Sequence, residues 1–330
     1  MSGVHLVWQA AAVMVGSGVV GLVYKGLDRK LAARMQARVG PPLRQPFLDL
    51  GKLLMKETVV PRDAVGWLFS AMPFLAAVAS FTALLYLPWG PFPPILRGYG
   101  DAVLVLYLLA VPALAMALGG FASGSPLATV GGQREIVMLM SYEFPLAVAL
   151  VGVVWRLRAL EVGPAFSLAT ISANPLWTAV GPLGVFGLAI LLGCLLVVTP
   201  AELSKIPFDI PEAETEIAGG LMVEYSGTYL ALFYLADAVK TVAMAALVVT
   251  LFIPYGIAAP LGVKGVGGQV LDVAFFLVKV FVVMFAAVTT VRVAMARFKV
   301  DQVVRGFWLQ ITAAAVAGLV LLVLDKAVMG

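Results

Sequence analysis

Eight apolar runs, at about 4–24, 64–87, 102–122, 136–154, 176–198, 229–253, 269–293 and 306–324, dominate the chain. Each is close to the roughly 20 residues that an α-helix needs to cross the hydrocarbon core of a bilayer. The runs are continuous rather than alternating, which excludes the strands of a membrane barrel, and inside lipid each helix pairs its own backbone groups. Because 62% of the 330 residues are hydrophobic and 12% charged, too little polar surface remains for a soluble domain. The expected fold is all-α: one integral membrane domain, 1–330, a polytopic bundle of about eight transmembrane helices with short amphipathic helices in its loops. The first run has no basic flank before it and no small-residue cleavage site after it, so it is expected to be a membrane helix rather than a leader.

Basic residues set the orientation. Lys25, Arg29, Lys30, Arg34, Arg38, Arg44, Lys52, Lys56 and Arg62 lie between the first two runs, and Arg297, Lys299 and Arg305 follow the seventh. Lys and Arg in short loops stay on the cytoplasmic side. The loops after helices 1, 3, 5 and 7 are therefore expected at the cytoplasmic face, with both termini outside, in a multi-pass protein of the cytoplasmic (inner) membrane. The net charge of +4 is explained by this topology and by contact with anionic lipid; it does not argue for nucleic-acid binding.

The chain is poor in metal ligands and redox groups. Cys194 is the single cysteine and His5 the single histidine. No disulfide, zinc site, iron–sulfur cluster or bis-histidine haem can be built from such a set, and no Walker loop or dinucleotide fingerprint is present. No metal is expected on this chain, and any redox centre is expected in a partner.

The loops carry the remaining information. After helix 1, residues 28–39 have helical propensity, Gly40-Pro41-Pro42 breaks them, and a second short amphipathic helix is expected after Pro46, lying along the membrane surface. After helix 3, Arg134 and Glu135 stand at the mouth of helix 4, with Glu143 about two turns further in, followed by Pro145, which is expected to weaken or kink the helix. An ionised acid costs at least ~2.5 kcal/mol when turned toward lipid, so Glu143 is expected to face protein or water.

After helix 5 comes "AELSKIPFDIPEAETEIAGGLMVEYSG", with Glu202, Asp209, Glu212, Glu214, Glu216 and Glu224 balanced by Lys205. Pro211 is placed to start a helix running to Gly219-Gly220. Glu212 and Glu216, four apart, would then share a face and repel, raising the pKa of at least one. A solvated acidic loop is the plain alternative; the interleaved Ile206, Phe208, Ile210, Ile217 and Leu221 count against it. In helix 6, Asp237 and Lys240 have the spacing of a pair, and helix 7 carries Asp272 and Lys279. With Glu143, these charges have the composition of a proton or ion path.

"ARVGPPLRQPFLDLGKLLMKE", "REIVMLMSYEFPLAVA", "IPFDIPEAETEIAGG" and "VEYSGTYLALFYLADAVK" resemble NADH dehydrogenase subunit 1 of respiratory complex I, and the homologous membrane subunit of energy-converting nickel–iron hydrogenases. The resemblance spans nearly the whole chain. It implies a non-catalytic membrane anchor that couples redox chemistry in a peripheral arm to proton or sodium translocation. Partners implied are the iron–sulfur and catalytic subunits of that arm, antiporter-like membrane subunits and membrane lipid. Iron–sulfur clusters and nickel–iron or flavin would belong to the partners, and quinone is a possible ligand of the shared seam. By motif, Arg34, Arg38, Gln45, Asp49, Lys52, Lys56, Glu57 and Arg134 fall at the seam or quinone vicinity, and Glu143, Asp209, Glu212, Glu214, Glu216, Glu224, Asp237 and Lys240 on the coupling path. The compact Val39-Gly40-Pro41-Pro42 and "GGLMVEYSG" look more like the hydrogenase side, which is favoured over the quinone-reducing branch. A stand-alone secondary transporter and a pure anchor remain as alternatives; against the former, no internal repeat is evident.

Overall fold

In the computed structural model, which describes residues 3–98 and 100–329, the chain is helical throughout, with no strand among the described residues. The side chain of His5 lies outside the described residues. In order the helices are α1 (Gly3–Met35), α2 (Gln45–Met55), α3 (Gly66–Leu85), α4 (Asp101–Ala122), α5 (Pro126–Arg158), α6 (Leu168–Ala173), α7 (Pro182–Glu202), α8 (Glu214–Ile217), α9 (Gly227–Phe252), α10 (Gly265–Met284), α11 (Thr290–Ala294), α12 (Val300–Arg305) and α13 (Thr312–Met329). Among the described residues, eight helices are long and apolar enough to span a membrane: α1, α3, α4, α5, α7, α9, α10 continued into α11, and α12 continued into α13.

The expected elements hold with three corrections. The helical start of the first loop is not a separate helix: α1 runs unbroken to Met35, and Ala37 then takes a left-handed φ of 56°. The fifth span begins at Pro182, because Leu176–Thr178 forms an isolated 3-10 turn behind Pro175 and Gly181-Pro182 restarts the chain. It also runs past Pro200 to Glu202, which places that acid inside a membrane helix. Pro145 lies within α5, a helix of 33 residues that continues on both sides of it. Finally, no helix runs from Pro211 to Gly219. A 3-10 turn at Ile210–Glu212 is separated by extended Ala213 (ψ 96°) from the four-residue α8, and Ala218 and Gly219 then adopt positive φ. The short α2 forms behind Pro46, as expected.

The buried axis of the bundle is α9, in which every residue from Ala238 to Phe252 is buried. Packed on it are α1, α3, α4, α7 and α10, while α13 closes against α5 and α7. In lipid there is little hydrophobic force between helices, so close packing of small residues holds them together. A Cβ on Gly187 of α7 would meet the Gly318 carbonyl of α13 at 2.7 Å, and a Cβ on Gly21 of α1 would meet the Ala238 carbonyl of α9 at 2.5 Å. At the end of the bundle opposite the basic loops, Arg156 and Asp325 form a buried ion pair at 3.4 Å. Arg156 donates to the Ala179 carbonyl (2.8 Å) and Asp325 accepts from Gly181 N–H (3.0 Å), so the pair also fastens the start of α7.

Gly21 lies one turn before Lys25, so the α1–α9 approach sets where that lysine arrives. Gly21→Ala should push α1 off α9 and cost about 1–3 kcal/mol, read as a lower thermal-unfolding midpoint in detergent. Gly16→Ala, which meets nothing within 4 Å, should change stability by less than about 0.5 kcal/mol.

Candidate functional site

At the basic end, the ends of α1, α9 and α11 meet the chain that follows α7 around a polar chamber of about 390 Å³. Its centre is the Asp237 carboxylate, shared by Lys25 at 2.7 Å and Lys205 at 2.8 Å. Lys25 also donates to the Tyr234 carbonyl (2.9 Å), and Arg29 donates to the Tyr234 hydroxyl (3.1 Å). On another wall, Asp28 accepts from Arg292 and Thr289, each at 2.7 Å. Glu212 is half-buried in the same chamber. Burial lifts its pKa above the ordinary glutamate value, against the pull of Lys205, so it keeps its proton to a higher pH than a solvated acid does. Burial would lower the Lys205 ammonium, but Asp237 and then Glu212 outweigh it and hold the pKa above the usual lysine value.

The charges continue into the bundle. A small void of about 10 Å³, close to the least volume that holds one water, is lined by Asp237, Ser204, Glu202 and Lys240. Beyond it, Lys240 lies 2.8 Å from the Glu202 carboxylate and donates to the Glu202 carbonyl at 2.6 Å, with both side chains almost wholly buried. Ser204 donates to buried Glu135 at 3.3 Å. The Tyr142 hydroxyl is buried without a hydrogen-bond partner among the described residues, an unsatisfied polar group in the interior. Past Thr241, α9 shows only buried apolar side chains from Val242 to Val249, and the row ends there.

The expected residues divide accordingly. Asp237, Glu212 and Lys240 are brought together, but Asp237 and Lys240 do not pair with each other: each has a lysine or acid from another element as its partner. Glu212 and Glu216 do not share a face, because extended Ala213 turns them apart. Glu216 is exposed and bound to Arg134 at 2.6 Å. Asp209 holds Arg297 at 2.8 Å, on the chamber rim. Glu214 is exposed, and Glu143 and Glu224 are half-buried. Lys279 is not on the row. It caps the far end of α9 through the Ile253 and Tyr255 carbonyls, both at 2.7 Å, and Asp272 beside it accepts from Ile257 and Ala258 N–H.

Of the seam residues, Asp49 is tied to the chamber through Arg29 (2.8 Å) and accepts from Gln45 (2.7 Å), one turn before it on α2. Slight burial raises its pKa, but those hydrogen bonds outweigh it and hold the carboxyl below the usual range. Arg34, Arg38, Lys52, Lys56 and Glu57 are exposed around it. The "EYSG" turn clamps this loop. Thr228 N–H donates to the Thr58 hydroxyl (3.0 Å), Val59 N–H donates to the Ser226 hydroxyl (3.1 Å), and Tyr225 stacks on Phe69 at 4.1 Å. Gly227, at φ +56°, lies so close to the Glu57 carbonyl that a Cβ would meet it at 2.5 Å.

Lys25, Lys205, Glu202 and Glu135 were absent from the expected path. Their signal was a charge inside or against an apolar run, but Glu202 is recognisable as such only once α7 is known to extend past Pro200. The Glu202–Lys240 pair gives a direct test. Glu202→Gln leaves a buried ammonium without its counter-ion and should cost about 3–5 kcal/mol, whereas Glu202→Gln with Lys240→Met should recover most of that loss, both read by thermal unfolding in detergent.

Comparison with known proteins agrees with this architecture. The family model for NADH dehydrogenase matches residues 8–323. The chain is 33% identical to an NADH-quinone oxidoreductase subunit of Geobacillus kaustophilus, over 97% of this chain and 96% of that protein. It is 31% identical to the corresponding NADH-quinone oxidoreductase subunit of Brevibacillus brevis, over 93% and 89% respectively. Among solved structures it is similar to a chain of the membrane-bound sulfane sulfur reductase, an archaeal respiratory membrane complex, with a TM-score of 0.81 and 28% identity over 96% of this chain and 99% of that one. An eight-span bundle matched along nearly its whole length in sequence and in structure is a complex I-like membrane subunit, and the chain belongs to the NADH dehydrogenase family.

Proposed function

We propose that this chain is the membrane anchor and coupling subunit of an ion-translocating oxidoreductase, seated in the cytoplasmic membrane with its basic loops inside and both termini outside. The observation that carries the proposal is the charge row itself. It opens at the basic end, runs through Lys205, Asp237, Lys25, Lys240 and Glu202, and stops inside the bundle against the apolar stretch Val242–Val249. A row that stops midway is not a complete path across the membrane, which argues against a stand-alone transporter. It is suited to receiving a charge change at the seam and passing it sideways to antiporter-like partners.

The chemistry follows from competition for Lys205. While Glu212 is protonated, Lys205 belongs to Asp237. A change of charge in the peripheral arm that ionises Glu212 gives Lys205 a second anionic partner, weakens its hold on Asp237 and alters the field at Lys240 and Glu202. Electron carriers, whether iron–sulfur, nickel–iron or flavin, reside in the arm subunits that dock on the exposed Arg34, Arg38, Lys52, Lys56 and Glu57.

The relatives are named for quinone and the structural neighbour for sulfane sulfur, so the same membrane architecture serves complexes with different acceptors. The chamber wall contributed by this chain sets ionisable groups such as Asp237, Lys205 and Glu212, which suit water and protons, among apolar side chains such as Met116, Leu230 and Phe233. No step is routed through quinone. The compact Val39–Pro42 segment favours a complex of the energy-converting hydrogenase kind; the names of the relatives favour the quinone-reducing kind.

Glu212→Gln in the assembled, reconstituted complex should cut ions moved per electron by about tenfold or more while electron transfer persists, and Glu216→Gln, a surface change, should cut it less than about twofold. Unchanged pumping in Glu212→Gln would remove the coupling role. Loss of the peripheral arm from that variant would instead support a pure anchor.

A further inference from the structure

We infer that the apolar groove between the basic end of α7 and the turn joining α11 to α12 binds one acyl chain of an anionic phospholipid, with the headgroup phosphate on Lys299 and Arg305. The groove is a separate cavity of about 420 Å³, walled by Val197 and Pro200 of α7, by Phe208 of the acidic loop, and by Met295, Phe298 and Phe307. Gln302 and Gln310 are its polar lining side chains, and Gln302 is engaged in accepting from Lys299 N–H at 2.9 Å.

The groove has a local structural cause. Residues Gly306–Ile311 are wound as a π-helix, a form that collects at functional sites, and the Thr312 hydroxyl satisfies the displaced Phe307 carbonyl at 2.7 Å. Gly306 lines the opening, and a Cβ placed on it would meet nothing within 4 Å.

Chemistry and charge select the occupant. A hydrocarbon chain needs only an apolar channel of this kind. Next in the chain to the lining residues Phe298 and Gly306, Lys299 and Arg305 are exposed and belong to no ion pair among the described residues, with Asp301 the one acid between them. Trp308, half exposed and stacked on Phe144 at 5.8 Å, is the kind of side chain that marks the membrane–water interface. Unpaired basic residues flanking an apolar groove are matched to an anionic headgroup. The chain would rest on Phe208, which packs on Phe298 and Phe307 at 5.8 and 5.3 Å, and would thereby brace the loop that carries Asp209 and Glu212.

Counting bound lipid tests the site independently of pumping. The intact complex is placed in nanodiscs of equal parts phosphatidylglycerol and phosphatidylcholine, extracted into detergent, washed, and its retained lipid measured by mass spectrometry. Wild type should retain phosphatidylglycerol in preference to phosphatidylcholine. That preference should fall about fivefold for each of Lys299→Gln and Arg305→Gln, which are exposed changes that leave the core untouched, and Gly306→Phe should abolish it by filling the groove. Equal retention of both lipids by wild type, or wild-type retention in all three variants, would overturn the inference. So would capture of a partner subunit by a photoactivatable cross-linker attached to the Gly306→Cys thiol, which would show the groove filled by protein.

Discussion

The sharing of the Asp237 carboxylate between Lys25 and Lys205 is the interaction on which the rest of this structure depends. A charge taken out of water costs several kcal/mol unless it is paired, and in an oily bundle that cost forces three separate pieces of chain to one point. Lys25 brings the end of α1, Asp237 the middle of α9, and Lys205 the loop that follows α7. Gly21 permits the first approach by bringing α1 onto the Ala238 carbonyl. Once Lys205 is fixed, the loop beyond it has little freedom, and Asp209–Arg297 and Glu216–Arg134 fasten its two further corners.

The same cost bears on the coupling role proposed for the row. A pair with fully matched charges would be inert, but here one acid faces two lysines, Glu212 holds its proton beyond the ordinary range, and the Tyr142 hydroxyl is left unsatisfied. A small change of charge at the open end therefore alters which groups are paired, while the apolar stretch of α9 blocks direct leakage to the other side. In the proposed function, a row of this kind in one subunit and redox centres in others would let one membrane architecture serve complexes with different acceptors.

Much of this was legible in the sequence, for physical reasons that differ by element. Membrane spans follow from length and hydropathy alone, and α2 from Pro46 and its apolar spacing. Partner choice was not legible. Asp237 and Lys240 have the spacing of a helical pair, yet each finds a better ion from a neighbouring element, because interhelical contacts in a buried core outweigh a surface-type pairing worth a few tenths of a kcal/mol. The split of the helix after Pro211 was missed for a similar reason. The chain folds back at Ala218–Gly219 so that Leu221 and Pro211 can pack on Gly131, where a Cβ would meet them at 2.8 and 2.9 Å. Glu202 was hidden by a proline that ordinarily ends a helix and here does not.

The most direct measurement is an infrared difference spectrum between the oxidised and reduced forms of the intact complex, compared with that of Glu212→Gln and Glu202→Gln. Redox-linked protonation along the row predicts a carboxyl band that changes with oxidation state and is lost or shifted in Glu212→Gln. A spectrum without any carboxyl change, or one identical in wild type and both variants, would contradict the account.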